Sequence, residues 1–198
     1  NSIFIDCTAS NDIPKMYEKI LSSSISVVTP NKVACSSDFD TYLGLKKTAT
    51  KYRARFLFET NVGAGLPVVS TVSDLLKSGD QIHKIQAVLS GTLNFLFNTY
   101  NATQKFSDVV KEAKAAGYTE PDPKLDLMRK ILILARESGY KIELDEITNV
   151  PFVPEECMNT DSLEAFYDKL DEHDEVFQEL YKKAESEGKR IKYVATFE

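Results

Sequence analysis

Ser2-Ile3-Phe4-Ile5-Asp6 and Ile25-Ser26-Val27-Val28-Thr29 are the two short apolar runs that decide the fold. The residues between them repeat apolar side chains at helical spacing, so the pattern predicts a strand, a helix and a second strand. A connection of this kind is right-handed by default and leaves the two strands parallel. Loops that bind ligands lie at the carboxyl ends of parallel strands, which makes Thr8 and Lys32 candidate ligand contacts.

The alternation of strands and helices continues beyond this unit. The pattern predicts a third strand over Arg55–Glu59 and a fourth over Ile82–Leu89, each followed by a helix. Near the end of the sequence, Leu163–Glu187 is predicted to form one acidic helix, and Ile191–Ala195 to begin a last strand. Together these elements predict an α/β chain.

Helix starts are predicted from polar residues that precede apolar repeats. Ser36 or Ser37 is expected to cap one helix and Ser107 another. In the first helix, the apolar spacing predicts that Met16 and Tyr17 face inward.

The strand–helix–strand start predicts that residues 1–53 form the end of a Rossmann-type nucleotide-binding domain. Residues 54–198 are expected to form a second, α+β domain with a mixed sheet. The 198 residues are 42% hydrophobic and carry a net charge of −6, a composition that fits a soluble protein and disfavours nucleic acid as a partner. We find no apolar run long enough to span a membrane. The three cysteines are few and far apart, which indicates the cytoplasm.

Gly117-Tyr118-Thr119-Glu120-Pro121-Asp122-Pro123 is the segment that most suggests chemistry. Its prolines favour an extended, rigid backbone, which fixes Glu120 between two helices. Asp126 and Lys130 follow, four residues apart on one helical face. Acids that face a lysine could hold a substrate ammonium group and move a proton. The alternative is a capped helix start with surface charges.

Four segments, in this order and spacing, resemble homoserine dehydrogenase: Val28-Thr29-Pro30-Asn31-Lys32, Thr60-Asn61-Val62-Gly63-Ala64-Gly65-Leu66-Pro67, Leu89-Ser90-Gly91-Thr92-Leu93-Asn94 and Gly117–Pro123. They span nearly the whole chain. The amino-acid sequences of the second segment and of Arg129–Glu137 are most similar to those of the bifunctional enzyme, in which the dehydrogenase is fused to aspartate kinase. The resemblance implies NAD(P)-dependent interconversion of homoserine and aspartate 4-semialdehyde, with residues 54–198 as the substrate-binding, catalytic and dimerisation domain.

The resemblance also implies roles for individual residues. Thr8 and Lys32 match cofactor-contacting positions, Lys32 also lies at a catalytic position, and Lys130 matches the proton donor. The implied substrate contacts are Glu120, Asp126, Tyr118, Gly91 and Thr92. The implied ligands of a monovalent cation, sodium, are Glu59, Val62, Ala64 and Leu66, mostly through backbone carbonyls. Without the resemblance, that turn is equally consistent with a plain strand-to-helix connection.

The sequence departs from the family in three places. It contains no Gly-x-Gly-x-x-Gly turn, and the strand that precedes such a turn is missing with it. Roughly five residues of the family pattern, among them a catalytic aspartate, are missing between Leu127 and Met128. The closing segment of the family is also missing. We therefore expect these 198 residues alone to be inactive.

Two alternatives remain open at this stage. A non-catalytic dimerisation fragment would explain the missing glycine-rich turn, and a lysine-dependent lyase would use Lys130 or Lys32. The chain as given is expected to form a homodimer, because Ile82–Leu89 offers apolar side chains on both faces of its strand. The chain's own helices can cover only one of these faces.

Overall fold

The computed structural model describes residues 2–118 and residues 123–198. The chain folds into two compact units. The first comprises Asn1–Leu89, Leu127–Thr148 and Ala195–Glu198, and the second comprises Ser90–Asp126 and Asn149–Val194. Among the described residues, no helix combines the length and the apolar character needed to cross a membrane.

The helices and strands follow one another along the chain as β1 (Ile3–Ile5), α1 (Tyr17–Ser22), β2 (Ser26–Val28), α2 (Phe39–Lys51), β3 (Phe56–Leu57), α3 (Val68–Lys77), β4 (Ile85–Ala87), α4 (Gly91–Thr99), α5 (Phe106–Ala115), α6 (Pro123–Glu137), α7 (Glu155–Met158), α8 (Leu163–Glu172), α9 (Asp174–Ser186) and β5 (Ala195–Phe197). Short 3-10 turns cover Ile13–Met16, Ala34–Ser36, Glu59–Asn61 and Leu144–Glu146.

The first unit contains a parallel sheet in the order β1-β2-β3. Ile3 pairs with Ser26, and Val27 pairs with Phe56. The strand–helix–strand start predicted from the sequence is therefore confirmed. Side chains from α1, β2 and α2 form the core beside this sheet: Tyr17, Leu21, Val27, Leu45 and Ala49.

Met16 contradicts the prediction that it faces inward, because its side chain is 53% exposed. It ends the 3-10 turn that precedes α1. A 3-10 turn advances by three residues per turn, so its side chains fall out of phase with the α-helix that follows.

A second, separate sheet of the first unit pairs β4 with β5 in antiparallel fashion, with Ile85 opposite Phe197. Both strands are shorter than the sequence pattern suggests, since β4 has three residues and β5 begins only at Ala195. Ile133 and Leu134 of α6 are buried in a core with side chains of α2 and α3. The parallel sheet and the separate antiparallel sheet confirm an α/β fold.

The second unit is built from α4, α5, α7, α8 and α9 around a core of aromatic rings. Phe106 stacks on Phe177 with ring centroids 4.1 Å apart. The rings of Tyr100 and Phe152 meet Phe106 edge-on, at 5.3 and 6.3 Å. Such pairs stabilise a small helical unit beyond the area that they bury.

The acidic segment Leu163–Glu187 was predicted as one helix and is two. The break lies at His173, whose backbone leaves helical geometry between α8 and α9. Asp174 follows it and accepts a hydrogen bond from the backbone nitrogen of Phe106 at 2.8 Å. The first backbone nitrogen of α5 is therefore satisfied by a side chain that is distant in sequence.

The predicted helix caps are also different in the structure. Asp38 caps α2 through a bond from the Thr41 backbone nitrogen, 2.8 Å long. Ser36 and Ser37, the predicted caps, donate instead to backbone carbonyls within their own turn. Ser107 lies inside the first turn of α5 and donates to Asp171. Serine hydroxyls are short and find partners locally, so sequence alone does not distinguish these roles.

Candidate active site

A buried carboxylate organises the carboxyl ends of β1 and β2. Asp6 is 2% exposed and accepts two bonds from Thr8, from its backbone nitrogen at 2.8 Å and from its hydroxyl at 2.7 Å. The other carboxylate oxygen accepts from the Tyr17 hydroxyl and from the Asn31 side-chain amide, the latter at 3.3 Å. One side chain therefore binds both loops that the sequence marked as ligand contacts.

The charge of Asp6 is stabilised by these donors. Burial opposes ionisation, but the hydrogen bonds from Tyr17, Thr8 and Asn31 outweigh it and lower the pKa of Asp6 below its ordinary value. A carboxylate that accepts several hydrogen bonds stays ionised in spite of burial. Burial, followed by the bond to Asp6, raises the pKa of Tyr17, so this phenol remains a neutral donor.

The second loop is fixed by Asn31. Its amide nitrogen donates to the Ser10 carbonyl at 2.8 Å, and its amide oxygen accepts from the Val33 backbone nitrogen at 3.0 Å. Lys32 follows it and is half-buried, and the Thr8 side chain is exposed at the end of the first loop. An exposed threonine and a lysine ammonium group at adjoining strand ends suit the phosphate and ribose oxygens of a dinucleotide.

The proposed cation turn joins β3 to α3. Gly63 and Ala64 both have left-handed backbones, with φ of +83° and +52°. A β-carbon on Gly63 would lie 2.5 Å from the Cγ2 atom of Val68, so glycine is required there. Val62 is fully buried, whereas Leu66 is 65% exposed.

Glu59 has a role in this turn that the sequence did not suggest. Its two carboxylate oxygens accept from the backbone nitrogens of Val69 and Ser70, each at 2.9 Å. A carboxylate at this position caps α3, and its negative charge is stabilised by the positive end of the helix dipole. The described residues contain no cluster of acidic, histidine or cysteine side chains able to hold a metal. A cation on this turn would therefore rely on backbone carbonyls.

Three predicted substrate contacts meet in the second unit. Gly91, Thr92 and Tyr118 line one cavity of about 540 Å³, together with Asn94 and Phe95. The Thr92 hydroxyl donates to the Tyr118 carbonyl. The rings of Phe95 and Tyr118 lie 5.0 Å apart, which gives the cavity an aromatic wall.

Two of the remaining predicted residues, Asp126 and Lys130, lie on α6. Lys130 belongs to the first unit, is half-buried, and its ammonium group donates to the Leu89 carbonyl at 3.0 Å. Asp126 is half-buried on the same helix and belongs to the second unit. Glu120 lies outside the described residues, so its predicted contact with the substrate ammonium stays a prediction.

Sequence reasoning missed the buried network itself. Tyr17 was predicted as a core side chain and Asp6 only as the end of a strand, and neither was assigned a polar role. The available signal was an aspartate at the end of a predicted apolar strand, followed two residues later by a threonine. Short polar side chains at that spacing form local hydrogen bonds, as Asp6 and Thr8 do.

Parallel strands whose carboxyl ends carry the polar side chains define a nucleotide-binding α/β protein. Residues 1–59 match the family model described as the NAD binding domain of homoserine dehydrogenase, and residues 67–198 match the model of homoserine dehydrogenase itself. The chain belongs to the homoserine dehydrogenase family.

Relatives and solved structures agree with this assignment. The chloroplastic bifunctional aspartokinase/homoserine dehydrogenase 1 of Arabidopsis thaliana is 44% identical over 98% of the chain, which spans 22% of that protein. A crystal structure of a Candida auris protein of unknown function is 36% identical with a TM-score of 0.90, over 99% of this chain and 58% of that one. A hyperthermophilic archaeal homoserine dehydrogenase in complex with NADPH is 30% identical with a TM-score of 0.61, over 70% and 44% of the two chains.

Proposed function

We propose that this chain is the catalytic portion of an enzyme that interconverts L-homoserine and L-aspartate 4-semialdehyde with NADP or NAD. The observation that supports this most is the Asp6 network, which holds Thr8 and the Asn31–Lys32 loop at adjoining strand ends of an NAD-binding domain. The chain spans about a fifth of its first curated relative, so the activity is a proposal for this protein. NADPH as the cofactor is supported by the archaeal complex.

Individual residues of the chain would have separate roles in the reaction. The bound nicotinamide supplies the hydride. As the new C–H bond forms at the aldehyde carbon, the electron pair of the C=O double bond moves to oxygen. The ammonium group of Lys130 stabilises that charge and gives its proton to the oxygen, and in the reverse direction the amine takes the proton back. Lys32 assists on the cofactor side.

The cavity in the second unit supports a role in substrate binding for Gly91, Thr92 and Tyr118. Its volume of about 540 Å³ is ample for a four-carbon amino acid. Glu120 and Asp126 are assigned to the substrate ammonium, since carboxylates are its natural partners.

The proposal has three further parts. It places sodium on the turn Val62–Leu66, the protein in the cytoplasm, and a division between two domains near residue 54. Localisation of a tagged protein to an organelle would reject the cytoplasmic assignment, and proteolysis that never cuts near residue 54 would reject the division.

The deciding experiment uses protein expressed from the complete reading frame. NADPH oxidation with aspartate 4-semialdehyde is measured for the wild type and for Lys130→Ala. We expect turnover in the wild type and a kcat lower by roughly 100-fold or more in the variant, with a much smaller change in KM. Lys114→Ala, an exposed helix lysine outside the site, is the control.

A wild type that binds NADPH without turning over either substrate would contradict the proposed function. A Lys130→Ala variant with unchanged kcat would remove Lys130 from the mechanism and leave the activity itself standing. A substrate imine trapped by borohydride would favour the lysine-dependent lyase instead.

A further inference from the structure

Arg136 is a buried cation that the mechanism does not use. Its side chain is fully buried in the first unit. One guanidinium nitrogen, Nη1, donates to the carbonyls of Cys35 and Ser37, at 3.0 and 2.7 Å. Nη2 donates to the Glu143 carboxylate at 2.8 Å. The third nitrogen, Nε, reaches the Ile142 carbonyl at 3.1 Å.

Through these contacts Arg136 is connected to the backbone of Lys32. The carbonyl of Lys32 accepts two bonds from Ser36, from its backbone nitrogen at 3.0 Å and from its hydroxyl at 2.9 Å. Arg136 binds the carbonyls on either side of Ser36, so the guanidinium group holds the 3-10 turn that fixes the backbone of Lys32. The second carboxylate oxygen of Glu143 accepts from the Phe39 backbone nitrogen at 2.9 Å and binds the start of α2 to the same cluster.

The other end of this connection is the helix of the proposed proton donor. Arg136 lies on α6, six positions after Lys130, whose ammonium group donates to the Leu89 carbonyl. Both lysines belong to the first unit. One helix, α6, therefore carries both Lys130 and the arginine that binds the Lys32 turn.

The groups around Arg136 stabilise its positive charge in the interior. Burial lowers the pKa of Arg136 below its ordinary value, and the charges of Glu143 and Asp38 oppose that shift. The guanidinium carbon lies 5.6 Å from the ring centre of Phe39 and 5.3 Å from that of Tyr42. A planar fork that binds several carbonyls and stacks on rings is a role that lysine cannot reproduce.

We propose that Arg136 is a positioning residue for hydride transfer, which sets the Lys32 turn relative to the helix that carries Lys130. This inference rests on the proposed function for its kinetic consequence, but the structural connection stands without it. Displacement of one reacting group by about 1 Å is enough to lower a rate by on the order of 100-fold.

The test compares Arg136→Lys with Tyr42→Phe in the protein expressed from its complete reading frame. Tyr42→Phe is the matched control, because phenylalanine keeps the ring beside Arg136 and removes only the buried bond from the Tyr42 hydroxyl to Glu137. Three quantities are measured for each variant: kcat and KM, the isotope effect on kcat with deuterated NADPH, and amide exchange over residues 33–38.

For Arg136→Lys we expect kcat to fall by on the order of tenfold or more, with KM for NADPH within about twofold and a larger isotope effect, because hydride transfer becomes the slow step. Amide exchange over residues 33–38 should accelerate selectively. For Tyr42→Phe, thermal stability should fall while the isotope effect and the exchange of residues 33–38 stay as in the wild type.

A purely structural role for Arg136 predicts a loss of folded enzyme with an unchanged isotope effect, and that result would overturn the proposal. If Arg136→Lys does not fold, the same three quantities are measured for Glu143→Gln, with the same expected results, since this change weakens one contact of the guanidinium group. If the wild type has no dehydrogenase activity, the proposed function fails, and amide exchange alone decides whether Arg136 orders the Lys32 turn.

Discussion

At the scale of single residues, the Tyr17 hydroxyl offers a clean test of the Asp6 network. Tyr17→Phe keeps the buried ring and removes one donor from the carboxylate. We expect a loss of about 1–3 kcal/mol in the free energy of unfolding at neutral pH, because a buried charged acceptor loses a partner. Tyr52→Phe is the control, since that ring is exposed and its change should stay within about 0.5 kcal/mol.

The pH dependence of this difference follows from the lowered pKa of Asp6. A depressed carboxyl pKa stabilises the fold above the unfolded value of about 3.9, and this stability is lost as the pH falls through the folded value. The gap between wild type and Tyr17→Phe should therefore be largest near neutral pH and shrink on acidification. Urea unfolding at several pH values measures it, and a gap that grows towards acid would contradict the assignment of Asp6.

At the scale of elements, the turn between β3 and α3 combines a steric requirement with the proposed cation. Gly63→Ala places a β-carbon against Val68 and demands a left-handed alanine, which costs about 1–3 kcal/mol. Gly65→Ala meets no atom within 4 Å and is the matched control. With the melting temperature measured in sodium chloride and in choline chloride, we expect sodium to stabilise the wild type and Gly65→Ala.

Gly63→Ala should melt at a lower temperature in both salts and lose the sodium effect, because the altered backbone would turn the proposed carbonyl ligands away from the ion. A wild type that melts at the same temperature in both salts, with activity indifferent to the cation, would reject the sodium site. Glu59 would then be only the cap of α3.

Element boundaries also show where local sequence stops being informative. The order of strands and helices in the first unit follows from apolar spacing, because that spacing records which face is buried. The break at His173 does not, since it depends on a bond from Phe106 to Asp174 that joins residues 68 positions apart. Asp38 could have been recognised as the cap of α2, but the two serines before it were equally good candidates by composition.

At the scale of the whole molecule, the fold class and the family were predictable from four short segments and their order. The Asp6 network and the Arg136 cluster were not, because each joins residues that are distant in sequence. Asp6 and Asn31 are 25 positions apart, and Arg136 and Cys35 are 101 positions apart. The resemblance implied which residues contact ligands, and the structure adds the side chains that hold the loops of Thr8 and Lys32 in place.

The last prediction concerns assembly. In β4, Ile85 packs into the core of the first unit, while Val88, which directly follows the strand, is 41% exposed. Among the described residues the β4–β5 sheet has two strands, so each strand has an outer edge that can pair with another chain. We propose that this sheet pairs two copies of the chain.

Light scattering of the purified protein tests the assembly, with expected masses of a dimer for the wild type and a monomer for Val88→Glu. A glutamate buried in the interface without a partner would cost several kcal/mol. Val150→Glu is the control, because Val150 is 71% exposed in the second unit and should leave the dimer intact. A wild type that is monomeric at micromolar concentration would defeat the proposal. A dimer that survives Val88→Glu would move the interface away from this sheet, because Val88 would then lie outside it.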